Sequence, residues 1–210
     1  VKAGRRATKA GSEDSWSEYL DRRPILVALA GPNGAGKSTF FEAHLRGGGL
    51  RFLNADVLAR ELGVDAYEAA RIGAVLRVEM VRQRESFVFE TVFSDPVGDK
   101  LNFLKRAAQN GYAVVLCFVG ISNAATSGQR VAMRVSQGGH DVPAEKLKDR
   151  FPRVMANLAA AIRELPCVLV FDNDDLRTPF CHAAVFVNGQ PAMLKQPMPR
   201  WLKQSFDTTR

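Results

Sequence analysis

Gly31-Pro32-Asn33-Gly34-Ala35-Gly36-Lys37-Ser38-Thr39 decides how this chain is read. It matches the phosphate-loop pattern G-x-x-x-x-G-K-S/T in full, with Ser38 in the last place. Before it runs an apolar strand, Pro24 to Ala30, and after it a helical pattern, Phe40 to Leu45. That strand–loop–helix setting is what the motif needs in order to work. Backbone N–H groups must turn inward around a phosphate, and glycines permit the angles and the close approach. The start of the following helix adds partial positive charge. The motif predicts that Gly31, Pro32, Asn33, Gly34, Ala35, Gly36, Lys37, Ser38 and Thr39 cradle a nucleoside triphosphate. Lys37 reaches the β/γ-phosphates and the Ser38 hydroxyl meets Mg2+.

Working outward, the near-continuous apolar run Ile25–Ala30 suits a central parallel strand buried on both faces. Further strands are expected at Arg51–Leu53, Phe87–Phe89, Tyr112–Val119 and Cys167–Phe171. Helical patterns lie between them: 66–84 with Ile72, Val75, Leu76 and Met80 on one face, a segment starting at Asp95 or Pro96, 123–136, and a long one through Leu165. Pro152 is expected to kink the long helix or restart it. Ala183–Val187, Asn188-Gly189 and Met193-Leu194 read as a hairpin. The expected fold is α/β: a P-loop-type parallel sheet of about five strands, helices on both faces, and a C-terminal hairpin. Residues 1–23 are expected to be a flexible or peripheral lead-in, and 24–210 a single domain with a lid at about 123–150.

The chain has 210 residues, 46% of them apolar, and a formal net charge of +7. That charge favours anionic partners but lacks the dense basic runs of dedicated nucleic-acid binders. No run is long enough to span a membrane. Three cysteines without a C-x-x-C pattern suit free thiols in a reducing cytoplasm, and three scattered histidines make no zinc set.

A guanine reader Asn-Lys-x-Asp is absent, which argues against a GTPase. Val135-Ser136-Gln137-Gly138-Gly139 has the wrong order for a transporter-ATPase signature, and Phe171-Asp172-Asn173 lacks the Asp-Glu pair of that class. A small-molecule kinase remains, and each of its parts has a candidate. Asp56, at the end of the second strand, can orient and deprotonate an acceptor hydroxyl, or cap the helix that follows. Glu90 and Thr91 close the third strand at the same edge and can hold the acceptor. Arg130 and Arg134, four apart on one helix face, can close over the phosphates. His140 follows two glycines in the same lid segment.

Together the phosphate loop, Asn54-Ala55-Asp56, Phe89-Glu90-Thr91 and the stretch Arg130 to Pro143 resemble the zeta toxin family of P-loop kinases, in its shorter form, over roughly 24–175. The Arg-to-Gly-Gly-His-x-Val-Pro part is the specific portion. The resemblance implies an ATP- and Mg2+-dependent transfer to the sugar 3′-hydroxyl of UDP-N-acetylglucosamine. It makes Asp56 the general base, Glu90 an acceptor contact, Lys37 the phosphate holder and Arg130 or Arg134 the lid cation. It also implies an antitoxin partner. A second lid arginine of larger members has no unique counterpart: His140 falls near its place, and Arg134 or Arg150 could substitute. A housekeeping kinase of another metabolite and a nucleotide-gated nucleic-acid binder remain as alternatives.

Overall fold

Alternation along β1 (Ile25–Ala30) builds the centre of the molecule. In the computed structural model, which describes residues 19–136 and 142–207, Leu26, Ala28 and Ala30 enter one core cluster. Ile25, Val27 and Leu29 enter the other. A strand apolar at every position is thus buried on both faces, as a parallel sheet covered by helices requires. β1 is flanked by β3 (Phe87–Thr91) and β4 (Ala113–Gly120), with β2 (Arg51–Leu53) and β5 (Cys167–Asp172) outside them, all parallel. β6 (Cys181–Val187) and β7 (Gln190–Leu194) then add antiparallel strands, in the order β2-β3-β1-β4-β5-β6-β7. The hairpin therefore extends the main sheet. Asn188 and Gly189 at its turn have φ of 49° and 77°, the pair of positive angles that matches strand twist.

The helices are α1 (Lys37–Phe40), continued by wider and tighter turns to Gly48, then α2 (Ala55–Leu62), α3 (Ala66–Arg82), α4 (Asp99–Gln109), α5 (Ala124–Ser136), α6 (Ala144–Glu164) and α7 (Arg200–Asp207). Three sequence expectations change. α3 buries Ala69, Gly73 and Met80, whereas Val75 is 65% exposed and Leu76 faces outward with it; Gly73 faces Leu58 of α2, so the small residue serves helix–helix packing. α4 starts at Asp99 behind Gly98, later than Asp95 or Pro96. α6 runs through Pro152 without restarting there. α7 has no counterpart in the sequence reading. Its Trp201 lies where a side chain on Gly120 would stand, so that glycine makes room for the indole. Of the expected lead-in, residues 1–18 lie outside the described residues, while Tyr19 packs on the core.

Among the described residues no helix is long and apolar enough to cross a membrane. Cys117 and Cys167 are buried on neighbouring strands, and burial pushes both thiols up to about 12.

Candidate active site

The phosphate loop joins β1 to α1 at the C-terminal edge of the parallel strands, where such sheets bind ligands. Gly31 has φ 145°, and a Cβ there would lie 2.1 Å from the Val119 carbonyl oxygen. Only glycine lets the loop leave β1 this close to β4. Lys37 is buried, and its Nζ donates to the carbonyls of Gly31 (3.0 Å) and Pro32 (3.1 Å). Burial lowers its pKa, against the opposing fields of Glu90 and Asp56. The lysine is thus held by the loop it serves, with a carboxylate, Glu90 Oε1, 3.8 Å away.

Glu90 sits at the end of β3 among donors. Its Oε2 accepts from Ser38 Oγ at 2.9 Å and from Asn54 Nδ2 at 2.8 Å. The structure therefore brings Glu90 to the lysine–serine end of the phosphate loop. The oxygens of Ser38 and Glu90 are the hard donors that Mg2+ prefers. Among the described residues no group of three His, Cys, Asp or Glu side chains forms a dedicated metal cage. A magnesium ion carried in by a nucleotide, keeping most of its waters, fits such a two-oxygen site.

Asp56 could serve as helix cap or as base, and the structure assigns the cap elsewhere. Asn54 is the N-cap of α2: its Oδ1 accepts from the backbone N–H of Asp56 (2.7 Å) and Val57 (3.3 Å). Asp56 stands one residue inside the helix, exposed, and its charge is felt at Lys37. Beside it an open cleft of about 580 Å3 runs along Ser38, Phe41, Phe52 and Val57. Thr91 is half-buried, and its Oγ1 accepts the Phe93 N–H at 3.0 Å; part of its capacity is spent on shaping the loop after β3.

The two lid arginines part company. Arg130 on α5 donates Nη1 to the Asn173 carbonyl (2.7 Å) and Nη2 to the Asp174 carbonyl (2.9 Å). Its guanidinium is tied to the loop after β5. Arg134, one turn on, is the cation whose field reaches Lys37. His140 lies outside the described residues.

Asn173, buried to 3% exposure, carries more than sequence reasoning assigned to it. Its Nδ2 donates to the Ala35 carbonyl (2.8 Å) and its Oδ1 accepts from the Phe180 N–H (3.2 Å). Ser127 of α5 likewise donates its hydroxyl to the Asn33 carbonyl (2.7 Å). These bonds tie the phosphate loop to the lid base and to the β5–β6 loop. Ser127 lies 94 residues from its partner in sequence, and Asn173 lies 138 from Ala35. The only available sequence signal was the position of Asn173 just past a core strand.

The family described as AAA domain (AAA_33) matches residues 26–155. No curated protein matches the chain in sequence. Solved structures with a similar fold include AvrRxo1-ORF1:-ORF2 with ATP, at 17% identity and TM-score 0.66, covering 92% of this chain. Another is the PezAT chromosomal toxin-antitoxin system of Streptococcus pneumoniae, at 14% identity and TM-score 0.54, covering 96% of this chain and 95% of that one. A third is a putative kinase from Chloroflexus aurantiacus j-10-fl, at 18% identity and TM-score 0.53, covering 75% and 92%. This chain spans 65% and 66% of the length of two AvrRxo1 structures.

Proposed function

The chain belongs to the AAA-domain family, and on that premise we propose that it is a small-molecule kinase moving the γ-phosphate of ATP to a sugar hydroxyl of UDP-N-acetylglucosamine or a related nucleotide-linked metabolite. The observation that carries the reading is Asp56: an exposed carboxylate, relieved of capping by Asn54, beside Lys37, Ser38 and an open cleft. A nucleotide-binding module without transfer has no use for a free base at that point.

The acceptor hydroxyl approaches through the cleft, and Asp56 takes its proton as the oxygen attacks the γ-phosphorus. The bond from that phosphorus to the β-bridging oxygen breaks, and ADP leaves with the electron pair. Lys37 exchanges the Gly31 and Pro32 carbonyls for phosphate oxygens and offsets their charge. Gly31 to Thr39 hold the nucleotide mainly by backbone N–H groups. Arg134 closes over the transferring group, while Arg130 holds the lid base against the loop after β5. Thr91 and His140 contact the acceptor, and Glu90 orients Ser38 and Asn54. The Ser38 hydroxyl, held by Glu90, would hold a nucleotide-borne Mg2+, which would supply charge neutralisation when bound.

The toxin-antitoxin system among the structural neighbours supports a toxin role with an antitoxin partner that covers the nucleotide site. The free thiols suit a cytoplasmic protein. The test is incubation with ATP, Mg2+ and a panel of nucleotide sugars and small alcohols, read as a phosphate mass gain. We expect gain on a nucleotide sugar; no transfer to any alcohol by folded protein overturns the kinase reading. Growth arrest on expression in bacteria that depends on Lys37 supports the toxin role, and harmless expression overturns it.

A further inference from the structure

The cleft beside Asp56 is lined from two parts of the chain. From α2 come Asp56, Val57 and Arg60, at the three- and four-residue spacing that sets side chains on one helix face. Asn54, the cap of that helix, bonds Glu90 beside the phosphate loop. Arg60 therefore stands about 6 Å further along the helix axis than Asp56, away from that end. From the turns after the phosphate loop come Ser38, Phe41, Glu42 and Arg46.

Four charged side chains line this cleft, Glu42, Arg46, Asp56 and Arg60, and they are not used alike. Arg46 Nη2 donates to Glu42 Oε1 at 3.0 Å, so these two form an ion pair and present no net charge to a ligand. Asp56 and Arg60 have the same spacing, with the acid on the N-terminal side, the order that favours pairing on a helix. They do not pair. Arg60 is exposed and makes no hydrogen bond or ion pair among the described residues. Carboxylate and cation are thus both open to whatever fills the cleft.

The rest of the lining is apolar. Phe41 and Phe52 stack with ring centroids 3.7 Å apart and planes at 10°, and Leu50 lies in the same wall. All three pack on the core beneath the phosphate loop. A panel fixed from behind suits the flat or apolar part of a ligand. The cleft volume of about 580 Å3 falls within the ~300–1,000 Å3 that takes drug-sized molecules. A ligand that fills it needs a hydroxyl end, an anionic group and an apolar part. A bridging phosphate carries its charge in the middle of a molecule, joined on both sides, whereas a carboxylate ends a chain. The planar guanidinium fork matches phosphate oxygens.

We propose that Arg60 sets the specificity of the acceptor cleft by binding a phosphate ester or diphosphate of the acceptor, about one helical turn from the hydroxyl that Asp56 deprotonates, while the apolar part of the acceptor lies on the wall of Phe41, Leu50 and Phe52. This rests on the kinase reading of the same cleft, but Arg60 can be tested without turnover.

Fill the phosphate loop of the full chain with Mg2+ and a non-hydrolysable ATP analogue. Then titrate uridine diphosphate, UDP-N-acetylglucosamine, N-acetylglucosamine and glucuronate in separate calorimetric runs. The two phosphate compounds should saturate, and the uncharged sugar should bind at least about 10-fold more weakly than its nucleotide. Arg60→Gln should weaken both phosphate compounds about 10-fold, the loss of one charge-assisted contact in an open cleft, and Arg60→Lys should restore part of it. The double variant Glu42→Gln/Arg46→Gln, which removes the neutral pair, should stay within about twofold of the parent. No saturable binding of either phosphate compound overturns the assignment, as does undiminished binding by Arg60→Gln or an equal loss in the double variant. Glucuronate binding through Arg60 in place of the phosphates overturns it as well. Transfer to a nucleotide sugar with KM unchanged in Arg60→Gln overturns the role of Arg60 alone. Binding of uridine diphosphate through Arg60 without transfer to any alcohol overturns the kinase reading alone.

Discussion

The two sides of the C-terminal sheet edge differ in how fully their polar groups are satisfied. On the phosphate-loop side, Lys37 is bonded to Gly31 and Pro32, Ala35 to Asn173, the Asn33 carbonyl to Ser127, and Ser38 to Glu90, and among the described residues Asn33 Oδ1 is left buried without a partner. On the β2–β3 side, Asp56 stands exposed with its cap function taken over by Asn54, and among the described residues both buried carboxylate oxygens of Asp95 lack a hydrogen-bond partner. A triphosphate is the same in every nucleotide, so its cradle can be finished in advance from backbone and a few bonds. A particular acceptor is not generic. Under the kinase reading proposed above, Asp56 stays exposed to meet it.

The sharpest way to break this contrast is to change one residue on each side and read binding apart from transfer. Asp56→Asn should lower the transfer rate by about 10²–10⁴-fold, the usual worth of a positioned base, and leave affinity for an ATP analogue within about twofold. Lys37→Ala should lower both. Equal loss of nucleotide affinity in the two variants would show that the halves are not separable. Second in size is Asn173→Ala. It orphans the Ala35 carbonyl and the Phe180 N–H, and should cost about 2–4 kcal/mol in denaturant unfolding, with weaker nucleotide binding. Unchanged stability would mean that the phosphate loop does not depend on that tie.

On the other side, Asn54→Ala removes a cap and one donor to Glu90, and should cost about 1–2 kcal/mol. It should leave nucleotide affinity nearly unchanged, which calorimetry with the ATP analogue checks. The smallest effect near neutral pH lies in the core below the phosphate loop. The Cys167 thiol is raised from 9.0 to about 12 in the folded chain. An acid with a raised folded pKa lends stability that is complete below pH 9 and lost as pH rises toward 12. Replacing it as Cys167→Val should remove a fall of about 1.4 kcal/mol per pH unit above 9. Melting temperatures of the two proteins across that range should converge or diverge accordingly; parallel curves would remove the thiol from the account.

Much of this arrangement is legible in the residues themselves, and unevenly so. The phosphate loop can be read directly because its chemistry is local: Gly31 must turn at φ 145° beside Val119, and a nine-residue stretch declares it. β1, β4 and β5 are equally plain, since double burial leaves no polar residue in them until the ligand edge. α3 reads less well. Its apolar residues outnumber its buried places, so Val75 and Leu76 looked like core and lie outside. Asn54 and Asp56 are both good caps two residues apart, and only the backbone settled which one turns inward. Arg130 and Arg134 share a helix face, yet the loop after β5 takes one and Lys37 senses the other.

By itself, the sequence determined the donor loop, the α/β class and the edge of the sheet where chemistry is to be sought, because those depend on contacts between residues near in the chain and on strict periodicity. Tertiary structure alone decided that Arg130 is tied to the loop after β5, that Asn173 braces Ala35, and that the buried Asp95 carboxylate has no hydrogen-bond partner among the described residues. Each of those is a relation between segments far apart in sequence, and whether a charge is met or unmet is a property of the space around it, which no local pattern records.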